Sequence, residues 1–261
     1  MIRSLYTSAS GMNVQQTNLD NIANNLANVN TTGFKKVRSE FQDLLYQTIS
    51  APGSGTTNTT ETPSGIQIGL GAKMVATNRV FSQGSLKHTG RSLDLAISGN
   101  GFFQLTLPDG STGYTRDGSF TVDQNGLMVT SQGYTLEPQI TVPQESLGLS
   151  VGTDGTVNAD IGDPQPSNLG QITLVNFINP SGLKALGGNV YKETTASGDP
   201  QQGAPGELGF GEIQANFLEI SNVNVAEEMI NMIIGQRAFE ATSRSVRTAD
   251  QILTEINNLK R

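Results

Sequence analysis

The two ends of the chain each repeat an apolar residue every seven positions. Leu5, Met12, Leu19 and Leu26 do so near the N-terminus, and Val225, Met232, Phe239, Val246 and Leu253 near the C-terminus. Ile2, Ala9 and Ala23 fall at alternating three- and four-residue offsets within the first set, where Gln16 is the polar member, and Ala249 and Ile256 support the second. Such a repeat is a coiled-coil seam, an apolar stripe that only another helix covers well. The chain must therefore bring its own ends together or present both to further copies of itself. Burying a seam side chain contributes roughly 1.5–3 kcal/mol, while ordering a residue costs about 1–2 kcal/mol. One helix pair is marginal on that comparison, and both arrangements stay open.

The first helix is expected from about Ile2 to Val29, stopping where Asn30-Thr31-Thr32-Gly33 oppose continuation. Asn18, Asn21, Asn24, Asn25 and Asn28 make it a poor lone helix, at roughly half a kcal/mol each relative to alanine. Asn24, Asn25 and Asn28 are read as amide donors and acceptors for neighbouring copies. The second helix is expected to open at Asn224, whose side chain can cap it with Glu227 three residues on, and to run almost to Arg261. Arg237, Glu240 and Arg244 stand at three- and four-residue spacings on its outer face.

Between the ends the period changes to two. Leu93 to Ser98, Phe102 to Leu107, Phe120 to Val122, Leu127 to Thr130, Ile172 to Phe177 and Val190 to Lys192 read as strands. Pro108-Asp109-Gly110, Asp117-Gly118, Asn125-Gly126 and Asp154-Gly155 read as hairpin-type turns. The run from Ser50 to Gly65, rich in Ser, Thr, Gly and Pro, reads on composition as a flexible linker. The fold class is α+β multidomain: a discontinuous α-helical coiled-coil domain built from both termini, plus an all-β outer domain. The expected boundaries are 1–45 for the N-terminal helical part, 46–75 for an extended joining segment, 76–214 for the β domain and 215–261 for the C-terminal helix.

Chemistry finds little support. The 261 residues include no cysteine, which excludes a disulfide scaffold and a thiolate nucleophile or metal site. The single histidine, His88, has no sequence context of a nucleophile and orienting acid. Gly99-Asn100-Gly101 begins like a phosphate loop, but Gln104 replaces the third glycine and no helix follows. Thr121 to Gln132 imitates a calcium loop, yet Thr and Gln occupy its first and twelfth positions. Glu227 and Glu228 are adjacent on a helix and point apart. No catalytic residue, cofactor site or metal site is assigned, and no enzyme is expected. A net charge of −7 with scattered basic residues argues against nucleic acid. No apolar run approaches the roughly 18 residues of a membrane span, and the first helix lacks a cationic face, so membrane insertion is not expected. No ordinary cleavable signal is read at the N-terminus.

Several motifs together resemble a family. Ser10-Gly11-Met12, Gln15 to Asp20, Ile22 to Val29 and Thr32-Gly33-Phe34-Lys35 resemble the N-terminal signature of bacterial flagellar rod and hook axial proteins. Ser221-Asn222-Val223-Asn224, Glu227 to Ile230, Gln236 to Glu240 and Thr248-Ala249-Asp250 resemble the C-terminal one. Asp43 to Thr48, Gly99 to Phe103 and Tyr114 to Phe120 are similar to the distal-rod branch in particular. Asn21, where an apolar residue is usual, and Gly235, where alanine is commoner, depart from the pattern.

The resemblance implies a structural subunit of the basal body that polymerises with itself into the distal rod, a drive shaft between proximal rod and hook. It implies terminal helices paired in an inner domain with the β domain outside. Implied partners are copies of itself, proximal rod proteins, the hook protein, the surrounding P-ring and L-ring bushing and the flagellar type III export apparatus. Implied location is a periplasm-spanning rod reached without a cleaved signal peptide. It also turns the 46–65 run from a linker into a bracing interface that includes Tyr46, Pro52, Gly53, Pro63 and Gly65. Alternatives are a proximal rod or short hook subunit of the same family, or a secreted β-domain module that binds glycan or peptidoglycan.

Overall fold

A computed structural model of the protein describes residues 2–52, 55–57, 60–61, 63–162, 166–207 and 209–258. Two helices, α1 (Ile2–Ala27) and α2 (Val225–Asn258), flank a long succession of short strands, so the chain is α+β with a helix at each end and a mostly β body. It divides into two compact units. A helical unit comprises residues 1–26, 37–78 and 224–261, and a β unit comprises residues 27–36 and 79–223. The boundaries differ from those expected. Residues 27–36 join the β unit, and the strand Val37–Asp43 lies where the helical segment was expected to continue to residue 45. At the other end, strands Glu212–Ala215 and Phe217–Glu219 precede α2 and belong to the β unit.

Within the helical unit, Ser8 Oγ lies 3.4 Å from Ser245 Oγ and Asn25 Nδ2 donates to Glu228 Oε2 at 3.2 Å. Gly11 lies against Thr242, and Gly235 against Leu19. These contacts step in opposite directions along the two helices, which therefore run antiparallel. Leu5, Met12, Leu19 and Leu26 are half-buried, as are Met232, Phe239, Val246 and Leu253, while Val225 is 41% exposed. The second row is only partly the expected one. Ala249 is buried as expected, but Ala9, Gln16, Ala23 and Ile256 face out, and the buried residues are Val14, Ile22 and Asn25 on α1 and Glu228, Gly235 and Ala249 on α2. Ser8, Gly11, Gly235 and Ser245 at the contact points let the helices come close. A Cβ at Gly235 would sit 2.9 Å from Leu19 Cδ2, so the glycine that departs from the family pattern is a place of tight packing.

The asparagines of α1 have different duties. Asn25 is buried; its Nδ2 donates to the Val37 carbonyl at 2.9 Å and its Oδ1 accepts from the Val37 N–H at 2.9 Å. The side chain thus pairs with a strand backbone as another strand would. Asn21 Nδ2 donates to Ser39 Oγ at 2.7 Å, which accounts for a polar residue where an apolar one is usual. Asn25 is therefore committed within the chain rather than offered to a neighbouring copy. Asn24 is exposed, and Asn28 accepts from Thr31 Oγ1 at 3.1 Å just beyond the helix end. At the start of α2, Asn224 Oδ1 accepts from the N–H groups of Ala226 and Glu227, the cap that the sequence suggests.

The β unit is organised around Phe102–Thr106, which pairs with Thr112–Thr115, Thr135–Glu137 and Leu174–Asn176, all antiparallel. Its period of two divides the interior. Phe103 and Leu105 enter a core with Leu95, Ile97, Phe120, Leu136 and Ile213, whereas Phe102 enters a second cluster with Tyr114, Val175, Phe177 and Tyr191. Pro108-Asp109-Gly110, Asn125-Gly126 and Asp154-Gly155 each turn between strands that pair with one another. Asp117-Gly118 does not. It crosses between Thr112–Thr115 and Phe120–Val122, which are unpaired with each other, and Gly118 O accepts from Leu95 N–H.

Replacing Asn25 with alanine removes three hydrogen bonds and leaves the Val37 amide without its partner. At about 1 kcal/mol per bond, Asn25→Ala is expected to destabilise the helical unit by roughly 2–3 kcal/mol, although alanine is the better helix former. Hydrogen exchange of the Val37 amide checks it: protection there should fall well before protection in the β unit.

Candidate functional site

Three stretches distant in sequence cross in the β unit: 33–36, 79–84 and 219–223. Lys35, Glu219 and Arg116 lie at the crossing, with side chains that are 0%, 0% and 3% exposed. Lys35 Nζ donates to Glu219 Oε1 at 2.5 Å and to the Ser82 carbonyl at 2.8 Å, while Gly84 N–H donates to the same Oε1 at 2.8 Å. Arg116 Nη1 stands 3.6 Å from Glu219 Oε2, and Arg116 Nη2 donates to the Gly99 carbonyl at 2.7 Å. One carboxylate thus faces two cations.

Backbone and amide bonds close the crossing. Gly33 N–H donates to Glu219 O, and Val80 N–H to Lys36 O. Asn222 Oδ1 accepts from Lys36 N–H at 2.8 Å, and its Nδ2 donates to the carbonyls of Val80 and Ser82. Gly33 adopts φ of +67°, and a Cβ there would sit 2.7 Å from Asp117 N, so no other residue fits without displacing backbone. Phe34 is buried, with the Arg79 guanidinium 6.0 Å from its ring centre and 5.3 Å from that of Tyr191. Thr32-Gly33-Phe34-Lys35 and Ser221-Asn222-Val223 are thus the two sides of a clamp, at the points where the chain passes from α1 into the β unit and from the β unit into α2. Sequence reading found these motifs but not their pairing, because Lys35 and Glu219 lie 184 positions apart.

A second feature belongs to the helical unit. Met229, Ile230, Ile233 and Ile234 form a row on α2 that is 53–60% exposed. Tyr46–Ser50 pairs antiparallel with Ile66–Gly69, and Leu45, Tyr46, Ile49 and Ile66 are exposed along this ribbon. This ribbon brackets the expected linker, inside which Gly55–Thr57 pairs antiparallel with Thr60–Glu61. Pro52 and Pro63 are exposed, Gly65 packs close to Ser50 and Pro52, and Gly53 lies outside the described residues. Arg237, Glu240 and Arg244 form exposed ion pairs at 3.1 and 3.6 Å. His88 lies on the strand Leu86–His88, with its ring edge-on to Phe217. Among the described residues, no group of three or more His, Asp or Glu is placed to hold a metal ion, and no helix is long and apolar enough to cross a membrane.

Three family models match the chain: flagella basal body rod protein over residues 5–35, the flagellar hook protein FlgE/F/G D1 domain over 96–159, and the flagellar basal body rod FlgEFG protein C-terminal over 214–259. The flagellar basal-body rod protein FlgG of Buchnera aphidicola (Schizaphis graminum) is 49% identical over 99% of this chain and all of its own length. The chain belongs to the flagellar basal-body rod protein family. FlgG of Bacillus subtilis is 42% identical, and the flagellar hook-basal body complex protein FlhP of the same organism 30%, each over the full length of both chains. These relatives bear the names of rod and hook proteins, none that of an enzyme. The first family model ends at residue 35, within the clamp, and the third takes in its other side, opening at residue 214.

The clamp generates two predictions. Glu219→Gln strands two buried cations and is expected to destabilise the β unit by about 3–5 kcal/mol. Lys35→Met should cost less, because Arg116 still faces the carboxylate; urea unfolding read by β-unit hydrogen exchange gives the order. Burial holds the Lys35 ammonium below the ordinary lysine value of 10.5, with Glu219 pulling it upward and Arg116 downward. Between the depressed native value and 10.5 the unfolded chain binds the extra proton, so this site makes stability rise with pH across that interval. Parent and Lys35→Met should therefore differ in the pH slope of their unfolding free energies there, the parent rising more steeply.

Proposed function

We propose that the chain is a structural subunit of the flagellar distal rod, polymerising with copies of itself into the shaft between proximal rod and hook. The observation that carries this reading is the row Met229, Ile230, Ile233 and Ile234, four large apolar side chains left exposed on a helix whose opposite rows are already covered. Exposed apolar rows of this kind mark association surfaces. The identity to rod proteins over complete chains supplies the kind of assembly.

In this reading the helix pair is a coiled coil lining an inner layer, and its half-buried Leu5, Met12, Leu19, Leu26, Met232, Phe239, Val246 and Leu253, with Val225, are finally covered by neighbouring copies. Asn24 and Asn28 serve contacts between copies. The ribbon from Tyr46 through Pro52, Pro63 and Gly65 braces adjacent subunits, and the β unit forms the outer layer. Proximal rod proteins, the hook protein and the P-ring and L-ring bushing are its neighbours in a periplasm-spanning rod, reached through the flagellar export apparatus without a cleaved signal peptide. Greater identity to the B. subtilis rod protein than to FlhP of that organism favours rod over hook. The glycan-binding alternative leaves the apolar rows of α2 without a role.

Ile233→Glu combined with Ile234→Glu is expected to leave monomer stability within about 0.5 kcal/mol, as for exposed positions, and to abolish assembly and motility. Electron microscopy of basal bodies from a strain carrying the double substitution should show rods that stop short, without hooks; normal hooks would refute the proposal.

A further inference from the structure

The crossing at 116–119 and the turns at 131–134 and 187–189 meet in the β unit around a cavity of about 280 Å³. Leu105, Tyr134 and Val190 give it apolar and aromatic wall, and of the residues that line it only Asp117 is charged. One oxygen of that carboxylate is fully engaged. Asp117 Oδ1 accepts from Thr32 Oγ1 at 3.0 Å and from the N–H and Oγ of Ser119 at 3.1 and 2.8 Å. Oδ2 has no hydrogen-bond or ion-pair partner among the described residues, and it is not one of the atoms closed to solvent. The side chains of Ser131 and Gln132, both exposed lining residues, are equally uncommitted among the described residues. Gln132 is packed over Gly188, where a Cβ would collide with its Nε2. The wall beside Asp117 is fixed in advance: Asn189, at φ of +60°, donates through Nδ2 to Thr32 O at 2.8 Å, and its own carbonyl accepts from Thr115 Oγ1 at 2.9 Å.

We propose that this cavity binds a primary alkylammonium group, with Asp117 Oδ2 as its counter-ion. The single free carboxylate oxygen decides between the organic cations. A guanidinium is held best by both oxygens of a carboxylate at once, and here Oδ1 is already taken by three donors. An ammonium is a compact charge whose three N–H groups each take one acceptor, and Asp117 Oδ2, Ser131 Oγ and Gln132 Oε1 are on offer around the cavity. A bare metal ion would find one carboxylate where it needs several oxygen ligands. The cavity also leaves room for a carbon stem against Leu105, Tyr134 and Val190. No basic residue lines it, so an arriving ammonium has no cation to displace. This chemistry belongs to a lysine side chain or to a free amine, and the site itself stands independently of the rod reading.

Titration of the monomer with butylammonium, followed through the backbone amides of Asp117, Ser131, Gln132 and Gly188 in ¹⁵N-resolved NMR, tests the site without requiring assembly. A saturable displacement is expected with butylammonium and none with butanol or with sodium at equal ionic strength. Absence of a saturable displacement overturns the proposal, and tighter binding of butylguanidinium overturns the choice of ammonium. Asp117→Asn keeps Oδ1 as acceptor for Thr32 and Ser119 and puts an amide donor in place of Oδ2. Affinity should then fall roughly tenfold or more, the loss of one charge-assisted hydrogen bond; unchanged affinity overturns Asp117 as counter-ion. Should this variant lose protection of the Ser119 amide, Ser131→Ala combined with Gln132→Leu, on exposed side chains, tests the same site. A severalfold loss is expected there, and unchanged affinity overturns the site. Assembly in saturating butylammonium separates the two sources within the rod reading. Slower growth of the parent, with Asp117→Asn indifferent to the amine, assigns the site to a lysine of a neighbouring copy; equal growth assigns it to a free amine. A chain that binds butylammonium yet never assembles refutes the rod reading and leaves the free amine as ligand.

Discussion

A single buried carboxylate holds three crossing stretches of the β unit together. Glu219 accepts from the Lys35 ammonium and from the Gly84 backbone and faces Arg116, so its side chain is in reach of groups from every stretch that meets there. Burial makes these interactions strong, and makes any one of them costly to remove, because no water replaces the lost partner. The surrounding bonds from Gly33, Lys36 and Asn222 to the backbone depend on the same register. The chain enters the β unit from α1 on one side of this crossing and leaves toward α2 on the other.

The helical unit follows a different rule. Its pairing is close where one member of a contact is small, with Gly235 against Leu19, Gly11 against Thr242 and Ser8 against Ser245. The large seam residues stay half-covered, and Ile230, Ile233 and Ile234 of α2 stay open. A helix pair of this kind is a partial structure in itself, packed tightly along one line and unfinished on either side of it. That is the physical counterpart of the marginal energetics of a lone pair, in which burial and ordering nearly offset each other.

Much of this was legible in the sequence. The seven-residue repeats gave both helices, and the turn dipeptides around Asp109, Asn125 and Asp154 gave three hairpins. Ala249 was read correctly, but the remaining close contacts between the helices were not legible, because hydrophobic periodicity registers large apolar residues, whereas those contacts were made by glycine, threonine and serine. Asn25 was read as a contact for other copies because nothing local distinguishes an amide that faces water from one that completes a strand. The clamp was hidden for the related reason that Lys35 and Glu219 are ordinary charged residues until the fold buries them against each other. Asp117-Gly118 looked like a hairpin turn but supports a crossing, a distinction set by which strands pair and not by the dipeptide.

Asn25 and Glu228 meet although they stand 203 positions apart, and the other contacts between α1 and α2 span comparable distances. A chain that emerges N-terminus first therefore offers α1 no partner until nearly all of its residues have followed. Closing so long a loop is slow and depends on the β unit having already drawn its two ends together. The helical unit thus works as a completeness check: it closes only on a finished chain, and a truncated copy keeps an open, asparagine-rich first segment instead of a competent building block.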